Sequence, residues 1–270
     1  MAIITMLNLK GGVGKSSTTF HLGGTLARRG RRVLLVDNDP QSSLTQGLYG
    51  PDATAALDPA ATIAALYRGD PVPPEGLVQA TGFENLHLLP GSWAADAYNR
   101  PDPHAEPWEL QIALVEPLAT VAGGYDLVLI DCPPTLHVPS WAALAASDGL
   151  IVPVQPEDYG SQGLAKVQES IDQARALVNP RLRVVGYVLT MVQGRRAVHQ
   201  LYEQTLRHGY GDAFFAATIP HAADIPEATM LRKPVIWHKP RGAAARALDA
   251  LADELWSRLA GPAAAGGEAA

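Results

Sequence analysis

Eight residues, Lys10-Gly11-Gly12-Val13-Gly14-Lys15-Ser16-Ser17, constrain this chain more than any other stretch. They follow an apolar run, Ala2 to Leu9, that alternates too little for a half-exposed strand and suits one buried on both faces of a parallel sheet. After them, Ser17 to Arg29 carries Phe20, Leu22, Leu26 and Ala27 at roughly helical spacing. Strand, glycine turn and helix start together form a phosphate cradle. Glycines let the backbone turn tightly and bring N–H groups to a polyphosphate with no Cβ in the way. The unpaired first N–H groups and the positive dipole end of the helix then face the anion. Lys15 can reach β- and γ-phosphates, and the Ser16 hydroxyl can ligate Mg²⁺, which prefers hard oxygen donors. The pattern G-x-x-x-x-G-K-[ST] is incomplete: its first glycine position holds Leu9, and a second lysine, Lys10, follows it.

Two further apolar runs end in acids. Val33 to Asp37 (VLLVD) predicts a buried strand with Asp37, Asp39 and Gln41 at its carboxyl end, and Asp126 to Asp131 (DLVLID) predicts another before Cys132-Pro133-Pro134. Ligands of open α/β sheets sit at that edge. Carboxylates close to a triphosphate repel it unless a cation or a water stands between, so acids there are metal-linked or water-orienting. Further strands are predicted at Gly149–Val154, Val184–Thr190 and Phe214–Ile219, with helices at Glu109–Val121, Leu164–Val178, Ala197–His208 and Pro240–Leu259. This alternation requires right-handed crossovers and an α/β fold with a doubly wound, mainly parallel sheet flanked by helices. Gly50 to Pro107, with nine prolines, reads as surface helices and loops without chemistry of its own. Within it, short helices are expected at Ala60–Tyr67 and Ala94–Tyr98 and a strand at Leu86–Leu89.

Composition excludes several classes. The chain has 270 residues, is 47 % hydrophobic and has a net charge of −6, so any nucleic-acid site must be a local patch. A single cysteine, Cys132, forbids an internal disulfide and a Cys-ligated cluster within one chain, and suits a reducing cytoplasm. No apolar run approaches the ~20 residues that span a membrane, and no signal peptide precedes the first strand. Ala174 to Tyr202 contains five arginines and no acid. Arginines of this kind give salt-dependent, sequence-independent contacts to DNA phosphates. Arg195 and Arg196 are the first candidates, with Arg232, Lys233, Arg241 and Arg246 as others.

KGGVGKSS resembles the deviant Walker A box of the ParA/MinD-type ATPases. VLLVDNDPQ (Val33 to Gln41), LVLIDCPP (Leu127 to Pro134) and IPHAADIPEA (Ile219 to Ala228) resemble further boxes of the ParA branch, and the likeness covers most of residues 1–260. The resemblance implies a P-loop ATPase domain over 1–260, variable at 50–108, with a disordered tail at 261–270. The likeness is to the short type of the branch, for which no N-terminal DNA-binding extension is expected. The resemblance assigns nucleotide contact to Lys10, Gly11, Gly12, Val13, Gly14, Lys15, Ser16 and Ser17, and the Mg²⁺ site to Ser16, Asp37 and Asp131. Asp39 matches the acid that positions the attacking water, Lys10 reaches the phosphates of the other subunit, and Lys15 acts on those of its own. Met191, Pro220 and Ala222 stand where adenine is expected, and Pro156 to Gly163 resembles the loop entering the next helix.

The implied activity is Mg²⁺-dependent ATP hydrolysis by a cytoplasmic, nucleoid-associated protein. An ATP-bound homodimer would bind double-stranded DNA non-specifically, and a ParB-like centromere-binding partner would stimulate hydrolysis and release. Positioning of another cargo remains an alternative. A MinD-type membrane ATPase needs a C-terminal basic amphipathic helix, for which this sequence offers no pattern. A nitrogenase-iron-protein-like relative needs two cysteines per subunit.

Overall fold

The computed structural model describes residues 1–156 and 160–261. Among these, strands β1 (Ala2–Met6), β2 (Val33–Asp37), β3 (Gln79–Ala80), β4 (Leu86–Leu89), β5 (Leu127–Asp131), β6 (Gly149–Val154), β7 (Arg183–Val192) and β8 (Phe214–Pro220) form one sheet. Its order is β3-β4-β2-β5-β1-β6-β7-β8. Every pairing is parallel except β3 with β4. β1 and β5 therefore lie centrally, which explains their predominantly apolar sequences: both faces need covering.

Alternate residues supply the two layers. Ile3, Leu34, Val36, Val128 and Ile130 face one core, under helices Ile63–Arg68, Val115–Ala122, Val138–Ala146 and Gly160–Leu177. Ile4, Met6, Val33, Leu35, Leu127 and Leu129 face the other, under helices Lys15–Arg28, Ser43–Tyr49 and Ala243–Ala260. The last helix buries Ala244, Leu248, Leu251 and Leu255, the stripe its spacing predicts. Each buried leucine contributes roughly 1.5–3 kcal/mol relative to exposure. Helices on both faces of a mainly parallel sheet make this the expected doubly wound α/β fold.

Several boundaries move, for local reasons. The expected helix Glu109–Val121 is two helices, Trp108–Gln111 and Val115–Ala122. Pro117 lacks an N–H and would crowd the carbonyl four residues back, so the helix restarts where Pro117 falls in its first turn. The last helix begins at Ala243 rather than Pro240, because Gly242 N–H closes a turn onto Lys239 O at 2.9 Å. Ala60–Tyr67 resolves into a 3₁₀ turn at Pro59–Ala61 and the helix Ile63–Arg68, capped by Thr62 Oγ1, which accepts from Ala64 N–H. Trp93–Tyr98 is 3₁₀ rather than α. Residues 157–159 of the predicted loop, and the expected tail from 262 onward, lie outside the described residues. No helix among the described residues is long and apolar enough to cross a membrane.

One buried residue gives the fold a pH signature. His21, on the first helix, accepts from Val235 N–H through Nδ1 at 3.0 Å, and its Nε2 lies 3.3 Å from Thr229 Oγ1. Burial lowers its pKa from 6.5 to about 3. The folded state thus binds the proton less well than the unfolded state. The resulting stability is fully present above pH 6.5 and is lost as pH falls toward 3, a change on the order of a few kcal/mol. Urea midpoints for wild type should fall between pH 7 and pH 4, and His21→Asn should flatten that fall; equal slopes would assign the acid sensitivity elsewhere.

Candidate active site

The phosphate loop leaves the carboxyl end of β1 and is tied down from outside. Asn8 Nδ2 donates to Pro153 O at 2.7 Å, and Asn8 Oδ1 accepts from Lys10 N–H at 2.9 Å. Thr190 Oγ1 donates to Val13 O at 2.8 Å, and Gln155 Nε2 donates to Gly12 O at 3.3 Å. A trans peptide points its C=O and N–H in opposite directions. Anchoring these two carbonyls on the β6–β7 side therefore turns the N–H groups of Val13 and Gly14 the other way. Gly12 and Gly14 adopt φ of +77° and +83°, a region that suits glycine. Gly14 is the N-cap of the helix Lys15–Arg28 and accepts from Thr18 N–H at 2.8 Å. The helix thus starts two residues earlier than its apolar spacing predicts, and Lys15, Ser16 and Ser17 occupy its first turn. Their N–H groups have no intrahelical acceptor.

Lys15 is 7 % exposed and its Nζ donates to Lys10 O at 3.2 Å. Burial lowers its pKa, while Asp131 and Asp39 oppose that shift. Asp37 and Asp131 are register partners on β2 and β5, and both are fully buried. Asp37 Oδ2 accepts from Thr45 N–H at 2.7 Å and from Thr45 Oγ1 at 2.6 Å. Asp37 Oδ1 and both Asp131 oxygens have no hydrogen-bond partner. Burial pushes the Asp37 carboxyl up to about 7, and burial beside Asp37 raises Asp131 well above the carboxylate range. The nearby Ser16 hydroxyl tempers the rise at Asp131 without meeting hydrogen-bond geometry at either oxygen. Asp39 is 8 % exposed, accepts from Gln41 N–H at 2.9 Å through Oδ1, and is likewise raised, chiefly by burial.

Buried polar atoms almost always have partners. Three unpaired carboxylate oxygens beside the start of a helix therefore fit a cation. No group of three or more His, Cys, Asp or Glu that could hold an ion alone exists among the described residues. A cation here must complete its shell with hydroxyl, water and phosphate oxygens, as Mg²⁺ does.

Beside Gly14 opens a cavity of about 920 Å³, walled by Thr190, Met191, Ile219, Pro220, Ala222 and Met230 among others. It brings together the three residues expected to meet adenine: Met191, Pro220 and Ala222. Cys132 is fully buried and its thiol pKa is raised by burial, which suits filler rather than a nucleophile.

The basic candidates separate. Arg195 and Arg196 are exposed just after β7, at the same sheet edge as the phosphate loop. Lys233, Arg241 and Arg246 are exposed around the last two helices, where Arg246 Nη1 donates to Arg241 O. Arg232 Nη1 donates to Tyr49 O at 3.4 Å, joining its loop to the end of the helix Ser43–Tyr49. Arg175 is engaged by Leu182 O and Asp172, an acid just outside the acid-free window. Thr45, Asn8 and Gln155 do not stand out in the sequence.

The comparisons agree with this geometry. The family described as AAA domain matches residues 1–184. The chain is 39 % identical over 259 residues to the chromosome-partitioning ATPase Soj of Thermus thermophilus, covering 95 % of this chain and 96 % of that protein. It is 32 % identical over 260 residues to the chromosome partitioning protein ParA of Caulobacter vibrioides, covering 96 % and 95 %. Cobyrinic acid a,c-diamide synthase from Mycobacterium smegmatis, solved with an ATP analog and magnesium, superposes with a TM-score of 0.79 at 28 % identity, over 96 % of each chain. The fold and the site define a P-loop ATPase. The chain belongs to the ParA/Soj-type ATPases of the ParA/MinD family.

Proposed function

We propose that this chain is a DNA-partitioning ATPase that binds ATP with Mg²⁺ and works as a nucleotide-dependent homodimer. The observation that carries this reading is the acid pair Asp37–Asp131, with three unpaired buried oxygens, set beside Lys15 and the glycine cradle. Ser16, Asp37 and Asp131 would hold the cation, which neutralises charge on the transferring phosphoryl group when bound. The N–H groups of Gly11 to Ser17 and the Lys15 ammonium would bind the phosphates. The cavity of Met191, Pro220 and Ala222 would take the base. Asp39, buried and close enough to feel Lys15, would orient the attacking water. Lys10 would act on the nucleotide of the second copy. Residues 1–260 would form a single ATPase domain, consistent with one continuous sheet.

DNA binding would fall to the ATP-bound dimer, through exposed Arg195 and Arg196, with Lys233, Arg241, Arg246 and Arg232 as further contacts. Pairing two modest patches raises avidity without new contacts. A ParB-like protein would stimulate hydrolysis and release the dimer from the nucleoid. The near-full-length likeness to two chromosome-partitioning proteins supports this over another cargo. The test is retention on non-specific DNA with ATP, ADP or no nucleotide, with retention expected only with ATP. Arg195→Glu combined with Arg196→Glu should weaken that retention about 10-fold or more and flatten its salt dependence, while ATP turnover stays intact. Unchanged retention at low salt would move the interface elsewhere.

A further inference from the structure

We infer that Thr45 is a positioning residue for the cation site: it fixes which oxygen of Asp37 is offered to the metal. The inference rests on the nucleotide reading above. A carboxylate on a strand end can rotate about its last bond and present either oxygen. Here rotation is blocked on one side. Asp37 Oδ2 accepts two hydrogen bonds from Thr45, at 2.7 Å from N–H and 2.6 Å from Oγ1. Thr45 Oγ1 is itself oriented, because it accepts from Gly91 N–H at 2.8 Å.

Gly91 closes the arrangement. A Cβ there would lie 2.8 Å from Asp37 Cγ and 2.9 Å from both Asp37 Oδ2 and Ser42 Oγ. Only glycine lets this backbone come close enough to hold Thr45. The chain Gly91 N–H to Thr45 Oγ1 to Asp37 Oδ2 leaves Oδ1 as the one oxygen without a partner, on the residue that registers with Asp131. The Thr45 hydroxyl donates to Asp37 and accepts from Gly91, so its place is behind the carboxylate rather than on the cation. Gly91 belongs to the proline-rich stretch that reads as chemically silent in the sequence. Through one N–H it reaches the centre of the site.

Groups that orient metal ligands typically change metal affinity by about 10- to 100-fold when removed. The measurement is the affinity for a fluorescent ATP analogue in Mg²⁺ and again in EDTA, for wild type, Thr45→Val and Thr45→Ser. Thr45→Val should lose about 10-fold or more of the Mg²⁺-dependent enhancement and keep the EDTA affinity; Thr45→Ser, which retains the hydroxyl, should restore the enhancement. Equal losses with and without Mg²⁺, or an undiminished enhancement in Thr45→Val, would overturn the role of Thr45 and leave the nucleotide reading standing. If Thr45→Val does not fold, Thr45→Ser still decides: an enhancement cut as deeply as 10-fold with the hydroxyl present would overturn the role. A wild-type chain that binds no nucleotide in either buffer would overturn both readings.

Discussion

Lys15→Ala should abolish measurable ATP binding, with a loss on the order of 100-fold or more. The ammonium is buried within the phosphate loop, held on Lys10 O and surrounded by Asp131 and Asp39. Its removal deletes a charge-assisted donor to phosphate, of the stronger class of hydrogen bond. It also removes the cation that faces Asp131 and Asp39, so an incoming triphosphate loses a neutralising charge beside those acids. Calorimetric titration with ATP and Mg²⁺ checks this, beside a circular dichroism spectrum to confirm folding. Affinity within about threefold of wild type in a folded variant would remove Lys15 from the cradle.

Asp39→Ala should separate binding from turnover. Deleting one buried acid lessens the repulsion a triphosphate meets, so ATP affinity should hold or rise. The group expected to orient water is gone, and losses of about 10²- to 10⁴-fold in rate are typical for such a group. The Asp39 side chain accepts a single short-range hydrogen bond, from Gln41 N–H, so the fold should survive its loss. Phosphate release and size-exclusion chromatography in ATP test both halves. Release at the wild-type rate would end the catalytic role of Asp39, and a monomer under ATP saturation would end the proposed link between nucleotide and dimer.

The central strands and the phosphate loop were legible because each is over-determined. VLLVD and LVLID have no polar residue before their last position, so they fit only strands covered on both faces, and their final acids are carried to the ligand edge. The cradle combined glycines, a lysine and a helix start in one interval. Where the sequence misled, one backbone constraint outweighed side-chain spacing: Pro117 split an otherwise periodic helix. Gly91 and Thr45 were silent because their importance depends on a long-range contact, with β4 delivering Gly91 to the helix that follows Asp39. The basic patch was read by counting charges, which cannot reveal that Asp172 holds Arg175 or that Arg232 meets Tyr49 O.

The helix Ser43–Tyr49 is seven residues long, about 10 Å at 1.5 Å per residue. Its first turn grips Asp37 and its final carbonyl holds Arg232. So short a rod has no soft joint in which a movement could be absorbed. A tilt imposed at the acid end should therefore carry the Tyr49 carbonyl with it, and so bear on the Arg232 contact at the other end.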